Sequence, residues 1–247
     1  MSDKQRLEQL LYRIADGIND GFWSEKVRAS ADQSAACTGE VGMPPYMKAL
    51  AINCTLKPSP SESNTDTLLN IVLGTLQQHD VETEVVRAVD HDIKPGVESD
   101  MGGGDEWPAI RAKIVESDIL IIATPTWLGK PSSVAQRVME RMDAMLGETD
   151  DEGRPIAYNR VAGVVVTGNE DGAHHVISET AGSLIDIGFT VPGQAWTYWN
   201  MGPGPGPSYL DTDHGHDWSR TTGEAAASNL LAVARALRAN PIPPPPS

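Results

Sequence analysis

Three runs in this chain, at residues 48–53 (KALAIN), 119–124 (ILIIAT) and 161–167 (VAGVVVT), are apolar almost throughout. They lack the polar alternation of a half-solvated strand. A strand of that kind is buried on both faces, which requires a parallel sheet covered by helices on each side. The stretches between the runs supply the helices. Residues 65–78 place Leu68, Leu69, Val72 and Leu76 on one side, at helical spacing. Residues 107–116 carry Pro108 in the first turn, where no N–H is needed. Residues 132–145, 173–187 and 224–238 continue the alternation; Gly188 ends one of these helices and the prolines from Pro241 stop the last. Residues 81–89, rich in β-branched side chains, read as a second strand, and residues 189–191 as the start of a short fifth. The pattern predicts an α/β domain: a doubly wound five-stranded parallel sheet with helices on both faces. In such sheets ligands bind beyond the strands' C-terminal ends, at a switch point.

Ahead of this domain, Leu7, Leu10, Leu11, Ile14 and Ile18 recur at helical spacing, and Phe22 and Trp23 follow. A polar stretch then leads to a break through Gly39, Gly42, Pro44 and Pro45. Residues 1–46 are therefore expected to form a helical extension, packed on its own domain or used as a dimer arm. Residues 47–241 are the expected α/β domain, and residues 242–247 a proline-rich tail. The formal net charge of the 247-residue chain is -15. Such a surface repels phosphate backbones and anionic bilayers, so neither nucleic acid nor a membrane is an expected partner. No apolar run reaches bilayer length, charges interrupt the N-terminal leucines, and Cys37 and Cys54 form no CxxC pair. These features predict a soluble, cytoplasmic protein without a disulfide framework or a cysteine-ligated metal.

The loops after the strands ending at Asn53, Thr124 and Thr167 are unusual. The first, residues 55–65, is rich in hydroxyls, carries Lys57 and leads straight into a helix N-terminus. Free N–H groups and the positive end of the helix dipole suit an anion there; ordinary Ser/Thr capping is the competing explanation. It is neither GxxxxGK[ST] nor GxGxxG, so a nucleoside triphosphatase is not indicated. The second, residues 124–131, sets Trp127 as a flat surface between Pro125 and Gly129. The third, residues 167–172, has glycines that let backbone approach a ligand's edge, or simply make a tight turn.

Taken together and in this order, the loops resemble those of the NAD(P)H-dependent FMN reductase and multimeric flavodoxin-like family, across about residues 47–241. The resemblance implies a flavodoxin-like fold with FMN as cofactor and NADPH or NADH as donor. It also implies a small acceptor, such as a quinone or a flavin, and a homo-oligomer (dimer or tetramer). In the family the first loop cradles the FMN phosphate, which carries over to Thr55, Lys57, Ser63, Asn64 and Thr65. The second supports the ribityl chain and ring, here Pro125, Thr126, Trp127, Leu128 and Gly129. The third brings backbone to the pyrimidine end, here Thr167, Gly168, Asn169, Asp171 and Gly172. The flavin carries the redox chemistry, so no catalytic side chain is named. Glu170 and Asp171 are expected to lower the flavin's potential.

Two alternatives remain: a flavodoxin-type electron carrier, and a non-catalytic protein that has lost the cofactor. Cys54, where a small Ser or Gly is usual, and the long proline-rich first loop favour the latter. A phosphoacceptor receiver is excluded because Ala123-Thr124-Pro125 stand where it needs an aspartate, and a GxSxG hydrolase because that motif is absent. Trp196, Tyr198 and Trp199 are candidates for a substrate wall or for packing. The DTDHGHD segment at 211–217 reads as a solvated loop lining the pocket, with a divalent metal as the lesser alternative. His174 and His175 are expected to pack in a helix's first turn.

Overall fold

The computed structural model describes residues 46–246. The expected helix over Leu7 to Ile18, and Cys37, lie outside the described residues. Along the described chain the elements are β1 (Lys48–Asn53), α1 (Asn64–Gln77), β2 (Glu82–Arg87), α2 (Trp107–Glu116), β3 (Ile119–Trp127) and β4 (Lys130–Pro131). They continue with α3 (Ser133–Met142), β5 (Val161–Gly168), α4 (Ala173–Ile187), β6 (Trp196–Asn200) and α5 (His216–Ala239). Five strands run parallel in the order β2-β1-β3-β5-β6. This is the flavodoxin-like, doubly wound arrangement, with the switch point between β1 and β3. The sixth strand, β4, is the return arm of a hairpin, pairing Pro131 with Thr126 and Lys130 with Trp127 at the end of β3. It was not expected, because two residues carry no periodicity.

The apolar runs separate two cores as their composition requires. On β1, Leu50 and Ile52 join α2, α3 and α4 on one face; Ala49 and Ala51 join α1 and α5 on the other. Close approach is built in at two glycines. A Cβ on Gly163 of β5 would lie 2.6 Å from the Ala195 carbonyl oxygen and 3.0 Å from Leu230 Cδ1. One on Gly223 of α5 would lie 3.1 Å from Ile71 Cγ2 of α1. The long passage from β2 to α2 is held by Asp105, whose carboxylate pairs with Arg141 of α3 at 2.7 Å with both side chains fully buried. The start of the proline tail is bracketed by Asn159, whose Oδ1 accepts the Ile242 N–H at 2.6 Å.

Several boundaries differ from the sequence reading. The fifth parallel strand is residues 196–200, not 189–191: Thr190 makes only an isolated bridge to Val161 before Pro192 and Gly193 break the chain. Strand β2 stops at Arg87 and passes into a 3-10 turn at Ala88–Asp90. Likewise α3 stops at Met142, followed by a 3-10 turn at Asp143–Gly147. Helix α5 begins eight residues before the expected 224, at His216. Its first turns, HDWSRTTG, are polar or small apart from Trp218, so apolar periodicity does not reveal them.

Candidate functional site

Register brings the strand ends together. Asn53 pairs with Ala123, Pro125 with Thr167, and Gly168 with Asn200, so all three unusual loops leave one edge of the sheet. Between them is a cleft with a volume of about 160 Å³. The first loop contributes Thr55, Leu56, Lys57, Asn64 and Thr65 to it. Helix α1 is capped by Ser63, whose Oγ accepts the Asp66 N–H at 3.3 Å. The N–H groups of Asn64 and Thr65 are first-turn donors that α-helix geometry leaves without an intrahelical acceptor. Asp66, the acid of that turn, is engaged by Arg87 and by the Asn53 side-chain amide. Its charge therefore offsets the helix end less than a free carboxylate would. Arg87 also donates to the Ser61 carbonyl at 2.8 Å, and Asp90 holds the Ser59 N–H at 2.8 Å. The Ser59 hydroxyl and N–H on Asp90 keep that carboxyl below its usual range. Prolines and hydroxyls thus form a pinned loop.

Pro125, Thr126 and Trp127 line the second side, Trp127 with half its surface exposed. The Thr126 hydroxyl is buried, in a residue only 3% exposed, and has no hydrogen-bond partner among the described residues. Such a group is costly, and this one belongs to the cleft wall. The third side is Thr167, Gly168 and Asn169. Thr65 Oγ1 and Thr167 Oγ1 lie 2.8 Å apart and tie the first side to the third. A Cβ on Gly168 would lie 3.0 Å from Thr126 Cβ and from the Glu170 carbonyl oxygen, so glycine lets these walls meet without displacement. Ser132 Oγ donates to the Cys54 carbonyl at 2.7 Å and caps α3 through the Ala135 N–H at 3.0 Å. Cys54 itself is fully buried beneath the loop, and burial pushes its thiol pKa up, away from the reactive thiolate.

Ten of the fifteen sequence-expected residues line the cleft: Thr55, Lys57, Asn64, Thr65, Pro125, Thr126, Trp127, Thr167, Gly168 and Asn169. Five stand behind or outside it. Ser63 caps α1. Leu128, at φ +52° and 92% exposed, forms the hairpin tip with Gly129. Gly172 sits directly on that tip, since a Cβ there would lie 2.8 Å from Gly129 Cα. Asp171 is exposed. Glu170 does not line the cleft; its Oε1 accepts the Leu128 N–H at 2.6 Å and clasps the second loop to the third.

A fourth wall was foreseen only in part, through Trp199 as a candidate. Ser208 and Tyr209, from the stretch between β6 and α5, line the cleft with Trp199 and Leu56. Period-two geometry splits the aromatic trio: Trp199 faces the cleft side. Trp196 and Tyr198 face the other core, where His174 lies edge-on to both rings at 5.6 and 5.0 Å. The only sequence signal for the wall was aromatic residues flanking GPGPGP. His216 stacks on Tyr209 at 3.9 Å, and its Nε2 lies 2.9 Å from the Tyr209 carbonyl oxygen. Among the described residues no group of three or more His, Cys, Asp or Glu could hold a metal ion. No helix among them is long and apolar enough to cross a membrane.

Comparison with known proteins places this geometry. Over 220 residues the chain is 40% identical to a protein of Mycobacterium bovis called divalent metal cation transporter MntH, covering 85% of this chain but only 31% of that protein. Thus it spans less than a third of that relative's length. It is 41% identical over 175 residues to the 8-demethyl-8-aminoriboflavin-5'-phosphate synthase of Streptomyces davaonensis, covering 67% of this chain and 68% of that enzyme. A crystal structure of RosB with bound 8-demethyl-8-formylriboflavin-5'-phosphate superposes with a TM-score of 0.73 at 37% identity, covering 79% of this chain and 82% of that one. Residues 47–203 match the family described as NADPH-dependent FMN reductase, and the chain belongs to that family.

Proposed function

We propose that this protein binds FMN in the cleft and uses it to pass reducing equivalents from NADPH or NADH to a small acceptor such as a quinone or another flavin. The observation that carries the reading is the donor set. First-turn N–H groups at Asn64 and Thr65, which helix geometry leaves without an intrahelical acceptor, fit a phosphate together with Thr55 and Lys57; the Thr126 hydroxyl, unpartnered among the described residues, fits a polar chain beyond it. Thr55, Lys57, Ser63, Asn64 and Thr65 are the phosphate loop in this reading, Ser63 acting only by capping α1. Trp127 gives a flat apolar support, while the Thr167, Gly168 and Asn169 backbone offers polar groups at the opposite edge. Bound flavin supplies the hydride chemistry, and the protein supplies orientation and electrostatics. Residues 47–241 form the flavin domain in this proposal, residues 1–46 an arm and residues 242–247 a tail. The assembly is a homo-oligomer.

The test is anaerobic absorbance spectroscopy of the purified protein with added FMN. The expected result is a perturbed flavin spectrum that bleaches with NADPH or NADH. No bound flavin rejects the proposal, and bound flavin unreduced by either nicotinamide rejects the reductase in favour of a carrier. A second reading is favoured by the synthase of Streptomyces davaonensis, named for a product that is itself a modified flavin phosphate, at 41% identity. In that reading the flavin in the cleft is the reactant. Mass spectrometry of flavin recovered after turnover separates the two: unchanged FMN supports the cofactor role, and a product altered at ring position 8 supports the reactant role.

A further inference from the structure

Residues 201–215 leave the end of β6 and return to α5 along the cleft. Their Gly-Pro alternation forms no regular structure before a single turn at Tyr209–Asp211, so the path of this strap is set by outside anchors. One anchor is Asn169: its Nδ2 donates to the Gly206 carbonyl at 3.1 Å, and its own carbonyl accepts the Gly206 N–H at 3.0 Å. The other is Asn64, the first residue of α1, whose Oδ1 accepts the Leu210 N–H at 3.0 Å. Ser208 and Tyr209 lie between the anchors, and both line the cleft. Tyr209 is 3% exposed, stacked on His216 and edge-on to Trp199 at 5.4 Å. The Asp211 carboxylate accepts the Ser208 N–H at 3.2 Å and closes the turn.

The geometry points to a selectivity device: the strap bounds the phosphate end of the cleft so that a flavin monophosphate is accepted and a flavin dinucleotide refused. Asn64 and Asn169 are its positioning residues. The inference rests on the cleft being a flavin phosphate site. A dinucleotide continues past the first phosphate into a second phosphate and a nucleoside. The strap is pinned at Asn64, the residue whose backbone opens the phosphate cradle, and Asp211 directly follows Leu210, the residue held there. Fixed negative charge beside that exit opposes a second phosphate. Attraction there is limited as well, since Lys57 is the only cation among the described residues that line the cleft. The strap also explains why two side chains expected to hold the flavin turn toward neighbouring backbone instead.

The experiment is calorimetric titration of FMN and FAD into the wild-type protein and into an Asn64→Ala/Asn169→Ala variant. The wild type is expected to prefer FMN by about a hundredfold, a discrimination within reach of like-charge exclusion. The variant is expected to lose about tenfold or more of that preference, through tighter FAD binding. Equal wild-type affinities, or an unchanged ratio in the variant, overturn the inference while leaving the flavin reading intact. Failure of the wild type to bind FMN overturns both. A second measurement needs no variant: amide hydrogen exchange of residues 201–215 is expected to slow about tenfold when FMN binds the wild type. Unchanged exchange in the FMN-bound protein also overturns the inference.

Discussion

At the scale of single residues, the Thr126 hydroxyl is buried without a partner among the described residues. Thr126→Val replaces it with a methyl of the same shape. The ligand-free variant is expected to be more stable by about 1 kcal/mol, while its FMN affinity falls about fivefold. Urea denaturation and FMN titration check the two halves, and a change of the same sign in both contradicts the assignment. Glu170 acts at a distance from the cleft by holding the Leu128 N–H. Glu170→Ala is expected to weaken FMN binding by about tenfold or more, the worth of one hydrogen bond to a charged acceptor. Unaltered affinity removes the carboxylate from any role in shaping the second loop.

At the scale of elements, the passage between β2 and α2 depends on a buried ion pair. Burial works to raise the Asp105 pKa. Hydrogen bonds from the Met101 N–H, Arg141, the Lys94 N–H and the Trp107 N–H outweigh it and hold the carboxyl at about 2, against 3.8 for a free one. The folded state therefore binds fewer protons than the unfolded state as pH falls toward 2. This contribution is fully present above about pH 4 and is lost between about pH 4 and pH 2. Asp105→Asn leaves Arg141 buried without its counter-ion and is expected to cost about 3 kcal/mol at neutral pH. It also flattens the acid limb of stability over that window. Denaturation at a series of pH values tests this, and wild-type stability in the variant contradicts it. Strand β5 admits no side chain at Gly163, where Ala195 and Leu230 close in. Gly163→Ala is expected to destabilise the fold by about 1–3 kcal/mol through overpacking, read as a lower denaturation midpoint with an unchanged slope.

At the scale of the molecule, a ligand bound only by the folded state raises its stability. FMN at a hundred times its dissociation constant is expected to add about 2.7 kcal/mol. For a domain of this size that raises the melting temperature by about 5–10 °C. A melting curve indifferent to saturating FMN contradicts a flavin site formed by the fold. The doubly wound sheet and ten of the cleft-lining residues were legible in the sequence for the same reason. KALAIN, ILIIAT and VAGVVVT must be buried on both faces, and parallel strands so buried end together, which gathers the loops after Asn53, Thr124 and Thr167. The hairpin strand β4, the place of β6 and the polar start of α5 were not legible. Two residues have no period, an edge strand shows little apolar continuity, and HDWSRTTG shows no apolar stripe. Of the fourth wall only Trp199 was a candidate in the sequence; the course of the strap was decided by tertiary structure. Asn64 meets Leu210 across 146 positions and Asn169 meets Gly206 across 37. A Gly-Pro segment with no preferred face takes its direction only from the contacts that anchor it.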